Sequence, residues 1–173
     1  MSGLLFLTSQ DFTNQKGAKG NILCHGIPGF ALILFYSTQC EHCQTLIPIF
    51  KRLPGSVGGV QFGMINVSAN KSCVRMSKNT IAPISYVPYI VLYINGKPFM
   101  KYNGPHVDDE IRRFVLEVAN KVQNKQKFSN EKVKETGRGI PEYASGKPLY
   151  GQDERVCYLV MDEAYGKEEK PNR

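Results

Sequence analysis

At 173 residues, 42% apolar and 21% charged, the chain has ordinary globular composition and the length for one well-buried core plus an extension. Its net charge of +7 is spread along the sequence without a stripe interleaved with aromatics, which argues against specific nucleic-acid binding and for a solvated basic surface with weak attraction to acidic partners. The longest apolar run, residues 30–36, is far below the ~20 residues of a membrane span; the amino terminus shows no charged leader or small-residue cleavage site; and of five cysteines only Cys40 and Cys43 are paired in sequence, with Cys24, Cys73 and Cys157 scattered. The expectation is a soluble protein of a reducing, cytoplasmic compartment, without a secretory leader or a disulfide framework.

"GLLFLT" (3–8) reads as a short strand, and Thr8 to Phe12 as the opening of a helix or turn. "TNQKGAKGN" (13–21) reads as a loop, on its Gly, Lys and Asn. "GFALILFYS" is apolar without alternation, as a central strand covered on both faces would be. "CQTLIPIFKRL" places Leu46, Ile47, Ile49, Phe50 and Leu53 at helical spacing, kinked at Pro48. "VQFGMINVS" is a further strand and "NKSCVRMSK" a short amphipathic helix; "YIVLYING" and "KPFMKYNG" form a hairpin about Asn95-Gly96. The helix "HVDDEIRRFVLEVANKV" carries Asp108, Asp109 and Glu110 in its first turn and an apolar face of Ile111, Phe114, Val115 and Val118. The order is βαβαββα, an α/β layer on a mixed sheet flanked by helices. Composition turns polar near Gln123, which sets a boundary between a domain at 1–122 and a carboxy-terminal extension at 123–173, with one late strand within Val156 to Met161.

The stretch that carries chemistry is Cys40-Glu41-His42-Cys43, where the central strand runs into a helix. Unpaired N–H groups and the dipole at a helix start stabilise a thiolate, so Cys40 is the candidate attacking thiol. The two-residue gap returns Cys43 beneath Cys40, close enough to form a disulfide and release a mixed-disulfide client, so Cys43 is the candidate resolving thiol. His42 can place positive charge beside the thiolate, and Glu41 acts in the opposite sense. A C-x-x-C is also half of a zinc site, but no second pair stands at ligand spacing, and neither a metal nor an organic cofactor is expected. His25 and His106 read as surface or loop residues, and Cys73 and Cys157 as small buried ones.

"FYSTQCEHC", with Pro48 five residues beyond the second cysteine, "SYVPYIVLYING", and Gly104 in "KYNGPHVDDEIRRFV" together resemble the thioredoxin family over roughly residues 28–119. The Cys-Glu-His-Cys is similar to the Cys-Gly-His-Cys of protein disulfide isomerases. The resemblance implies a thioredoxin-like fold and disulfide exchange with protein clients through a mixed disulfide at Cys40. It also implies a cis peptide at Val87-Pro88, facing the cysteines and lining the edge where an extended client pairs by backbone hydrogen bonds. Three positions depart from the family pattern. Gln39 replaces the usual tryptophan, Leu34 replaces the buried acid six residues before the first cysteine, and Gly63 or Met64 stands where a lysine is often found. Deprotonation of Cys43 lacks its usual helper, which implies a slower or more specialised oxidoreductase. The extension resembles those on thioredoxin-like proteins of large DNA viruses. That supports a second function class: a structural or docking subunit of a virion, or a minor capsid protein, contacting assembly neighbours through the extension.

Overall fold

The computed structural model describes residues 3–126, 133–134, 139–144 and 156–159. Strand β1 (Leu4–Leu7) leads into one 3-10 turn, Ser9–Asp11. Thr8 caps that turn: its Oγ1 accepts from the Gln10 amide at 3.3 Å while Asp11 Oδ2 accepts from the Thr8 amide at 2.8 Å. Residues 13–21 are not a loop as the composition suggests. They belong to a hairpin of β2 (Phe12–Lys16) and β3 (Asn21–His25), paired antiparallel from Phe12 opposite His25 to Lys16 opposite Asn21. β2 buries only Phe12 and leaves four polar residues in water, so it has no apolar alternation to read; its partner β3 buries Ile22, Leu23, Cys24 and His25.

Among the described residues the main sheet has seven strands, in the order β1, β5, β4, β7, β8, β10 (Glu142–Ala144) and β9 (Val133–Lys134). β4 (Phe30–Tyr36) runs parallel to β5 (Val60–Asn66) and antiparallel to β7 (Tyr89–Ile94), which turns back through Asn95-Gly96 into β8 (Lys97–Asn103). Both turn residues have positive φ, 51° at Asn95 and 82° at Gly96. Gly96 is also forced by proximity, since a Cβ there would run into the His25 carbonyl oxygen.

β4 carries both cores. Ala31, Ile33 and Phe35 pack with Phe12 and Leu23 of the hairpin and with Cys73 and Val74 of α2 (Lys71–Lys78). On the opposite face Leu32 and Leu34 pack with Leu46 and Phe50 of α1 (Glu41–Lys51) and with Ile111, Phe114 and Val115 of α3 (Asp108–Gln123). Pro48 lies inside α1 and is tolerated there. The first-turn acids of α3 pair with its own arginines, Asp109 with Arg112 at 2.6 Å and Glu110 with Arg113 at 3.3 Å, so that cluster is structural.

Past α3, the chain rejoins the sheet. β10 (Glu142–Ala144) pairs parallel with β8 and antiparallel with β9 (Val133–Lys134). Tyr143 is buried against Phe114 and Tyr102, and Ile140 enters the opposite core. These two residues stand within a polar stretch and carry no period that would announce them. Of the late strand expected within Val156 to Met161, β11 (Cys157–Tyr158) is observed; Val160 and Met161 lie outside the described residues. Among the described residues no helix is long and apolar enough to cross a membrane.

Candidate functional site

The site forms where β4 gives way to α1. Cys40 is the cap residue of α1, with extended backbone (φ −97°, ψ 122°), and its carbonyl accepts the first helical hydrogen bond from the Gln44 amide at 3.0 Å. Cys40 therefore stands at the positive end of the α1 dipole, and its side chain makes no capping hydrogen bond. Ser37 sets the preceding turn. Its hydroxyl lies 2.6 Å from Ser68 Oγ and accepts the Gln39 amide at 3.2 Å, while Gln44 Nε2 donates to the Thr38 carbonyl at 2.8 Å.

Cys43 sits one turn into α1, fully buried, and its Sγ accepts the Ser37 N–H at 3.5 Å. Burial pushes the thiol pKa up to about 11, with the Ser37 N–H pulling in the other direction. The same burial raises the Tyr36 phenol nearby, with the Cys43 charge adding to it. Ser37 is a positioning residue that sequence reasoning passes over; its only signal is a small hydroxyl residue at the strand-to-helix turn. Glu41 is exposed and His42 half-buried, both in the first turn beside Cys40.

Opposite the cysteines stands β6 (Tyr86–Val87), ending in a cis peptide bond between Val87 and Pro88. The Val87 carbonyl oxygen lies 3.7 Å from Cys40 Sγ. Cys40, Cys43, Val87 and Pro88 are thus brought to one place by two elements distant in sequence, α1 and the β6 segment. Leu34, at the position of the family's acid, is fully buried among the apolar side chains of the second core, so no carboxylate serves Cys43 from there. At Gly63 a side chain would meet Ile33 and Leu7 carbons 3.0 and 3.1 Å from its Cβ, and Met64 is buried; neither position offers an amine.

One expectation is corrected outright. The disulfide of this structure joins Cys40 to Cys157, across 117 residues of sequence, and leaves Cys43 a free thiol. Cys157 is therefore no inert buried residue. It lies on β11, which pairs antiparallel with β6 so that Cys157 faces Val87 and Tyr158 faces Tyr86, and the Leu159 amide extends the ladder to the Ser85 carbonyl at 2.9 Å. The Tyr158 ring meets Tyr86 edge-on at 6.0 Å while remaining 69% exposed. A segment of the extension therefore occupies the edge that family resemblance reserves for a client. In sequence, a lone cysteine 114 positions after Cys43 carries no mark of this.

His25 is a second correction. It is a buried strand residue, its ring tilted at 45° against Tyr93 with centroids 4.3 Å apart, and its Nδ1 accepts the Ile27 amide at 3.1 Å. Desolvation lowers its pKa to about 4 against a smaller upward pull from Asp11. Cys24 and Cys73 are buried free thiols; burial raises both, Cys73 to about 12. Among the described residues no three His, Cys, Asp or Glu side chains gather as metal ligands would.

Comparison with known proteins fixes the lineage. The thioredoxin family model matches residues 25–117, which hold β4, both cysteines of the C-x-x-C and the cis proline. The chain belongs to the thioredoxin family. A protein of invertebrate iridescent virus 6, called "Uncharacterized protein 196R", is 37% identical over 99% of both chains. "Uncharacterized protein 020R" of invertebrate iridescent virus 3 is 32% identical, over 94% of this chain and 96% of its own. Both alignments run through the extension. The fold also matches human ERp44 in its zinc-bound form, with a TM-score of 0.50 at 17% identity, covering 67% of this thioredoxin-family chain and 30% of that one.

Proposed function

We propose that the chain is a thiol–disulfide oxidoreductase acting on protein clients, with Cys40 as nucleophile and Cys43 as resolving thiol. One observation carries this reading: Cys40, at a helix N-terminus, is joined by a disulfide to an extended segment paired on β6, while Cys43 waits one turn away as a thiol. That is the arrangement of a mixed-disulfide intermediate, with Cys157 standing where a client cysteine would be. A client in an extended conformation adds to the Tyr86–Val87 edge through backbone hydrogen bonds, which recognise strand rather than sequence. His42 and Glu41 tune the thiolate of Cys40 from the first turn of α1. With Leu34 in place of an acid, Cys43 leaves its proton to water, and resolution is slow at neutral pH.

A second reading rests on the full-length matches to viral proteins: a structural or docking subunit whose extension, 123–173, meets assembly neighbours, in a virion or in the host cytoplasm. Trapping separates the two. In Cys43→Ser/Cys157→Ser, Cys40 can attack but nothing within the site can release the product. Incubated with its natural partners, acid-quenched and run on non-reducing gels, this variant should hold discrete covalent adducts that vanish when Cys40→Ser is added. Partners that co-purify without any such adduct would give the protein the structural role.

A further inference from the structure

We propose that Cys157 is a third exchanging cysteine, and that β11 is an internal client which Cys43 displaces from Cys40. This rests on the exchange chemistry proposed above and assigns to it a residue outside the C-x-x-C. Three features carry it. The bond to be exchanged ends on Cys40, the sulfur at the helix N-terminus, rather than on a cysteine remote from the site. The competing thiol, Cys43, is free and one turn away on the same helix. Among the described residues, the strand that delivers Cys157 is shallow: two ladder residues, with Tyr158 in water and Leu159 and Cys157 only partly buried against the core.

The step balances without any outside oxidant or reductant. Cys43 loses its proton to water and its thiolate attacks Cys40 Sγ; the Cys40–Cys157 bond breaks as the Cys40–Cys43 bond forms; Cys157 leaves as a thiolate and takes up a proton. Two isomers of one oxidation state result. In the first, the tail strand covers the β6 edge and Cys43 is the thiol. In the second, the C-x-x-C is closed, Cys157 is the thiol, and the Tyr86–Val87 edge is vacant for a client strand. A client thiolate attacking Cys40 in the first isomer frees Cys157 in the same way. The internal segment also defines a client class: an extended stretch with an apolar residue two positions after its cysteine, since Leu159 turns toward the core as Cys157 does while Tyr158 turns out.

The test uses the full chain, isolated with the Cys40–Cys157 bond and kept at pH 8.5 without added thiol but with iodoacetamide present, then mapped by mass spectrometry. In the unmodified protein Cys157 should become alkylated as Cys40–Cys43 peptide appears. In Cys43→Ser, which retains the tail disulfide but has no internal attacker, alkylation of Cys157 should be at least about tenfold slower. Leu159→Asp, which keeps every cysteine and loosens β11, should speed it several-fold. The proposal is overturned if Cys157 stays protected in both the unmodified protein and Leu159→Asp while dithiothreitol exposes it, or if Cys43→Ser releases it as fast. The trapping experiment above is done on a chain without Cys157, so clients caught there alongside a protected Cys157 here would make the tail bond a fixed staple on a working exchange site.

Discussion

Among the described residues the extension meets the body of the protein at β10 and at β11, and the two contacts are of different kinds. At β10 it becomes part of the fold: Tyr143 is 1% exposed, wedged between Tyr102 and Phe114, with Lys101 and Glu142 paired across the strand at 3.7 Å. At β11 it rests on the surface of the candidate site, held among the described residues by a two-residue ladder, the Leu159 bond to Ser85 and the Cys40–Cys157 disulfide. Burial of side chains makes the first contact permanent, since removing it leaves a cavity. The second depends on a bond that thiols can break, which makes it reversible in a way that side-chain burial is not.

The comparison fails first if Tyr143 is not a core residue. Tyr143→Ala should cost roughly 3–5 kcal/mol, read as a loss of melting temperature or denaturant midpoint, in oxidised and reduced protein alike. A change confined to the oxidised form would mean that β10 is held only through the disulfide. Reducing the Cys40–Cys157 bond comes next. Closing so long a loop restricts the unfolded chain, and the oxidised protein should be more stable than the reduced by roughly 2–4 kcal/mol in denaturant titrations. In Cys157→Ser that difference should shrink, because Cys40–Cys43 closes only a short loop.

Acid should separate the body from the clip. His25 is held near pKa 4 in the folded state against 6.5 unfolded, so the neutral form favoured by folding is stable above 6.5 and is progressively penalised as pH falls toward 4. Between pH 7 and 5 the body should lose about 2 kcal/mol, and His25→Asn should flatten that slope. Tail exchange responds in the opposite range. With the Cys43 thiol near 11, its thiolate fraction rises about tenfold for each pH unit from 7 to 10, and release of Cys157 should follow that slope. A rate flat across this range would move the attacking thiolate away from Cys43. The smallest effect is expected at Tyr158→Ala, below about 0.5 kcal/mol in stability, because its ring is mostly in water.

Much of the body is legible in the sequence because its signals are local. The unbroken apolar run of β4, the Asn95-Gly96 turn and the face of α3 from Ile111 to Val118 each state a period or a backbone conformation that neighbours cannot easily override. The hairpin at β2 and β3 escaped because a strand paired on one side and wet on the other shows polar residues without alternation. His25 escaped for a related reason: its burial comes from Phe12 and Tyr93, on strands that sequence does not juxtapose. At the site, Cys40, Cys43 and Pro88 are visible as motif residues, whereas Ser37 does its positioning through a backbone N–H to Cys43 and a hydroxyl bonded to Ser68 and the Gln39 amide, contacts that no motif announces.

By itself, then, the sequence determined the layer architecture and the place of the C-x-x-C pair, since the spacing of apolar residues and of two cysteines at a helix start acts over a few residues. Only the tertiary structure decided which sulfur Cys40 holds. Cys157 gains its meaning from antiparallel pairing with a strand seventy residues earlier, and pairing between distant strands depends on edges left open by the whole fold, not on any pattern near Cys157 itself.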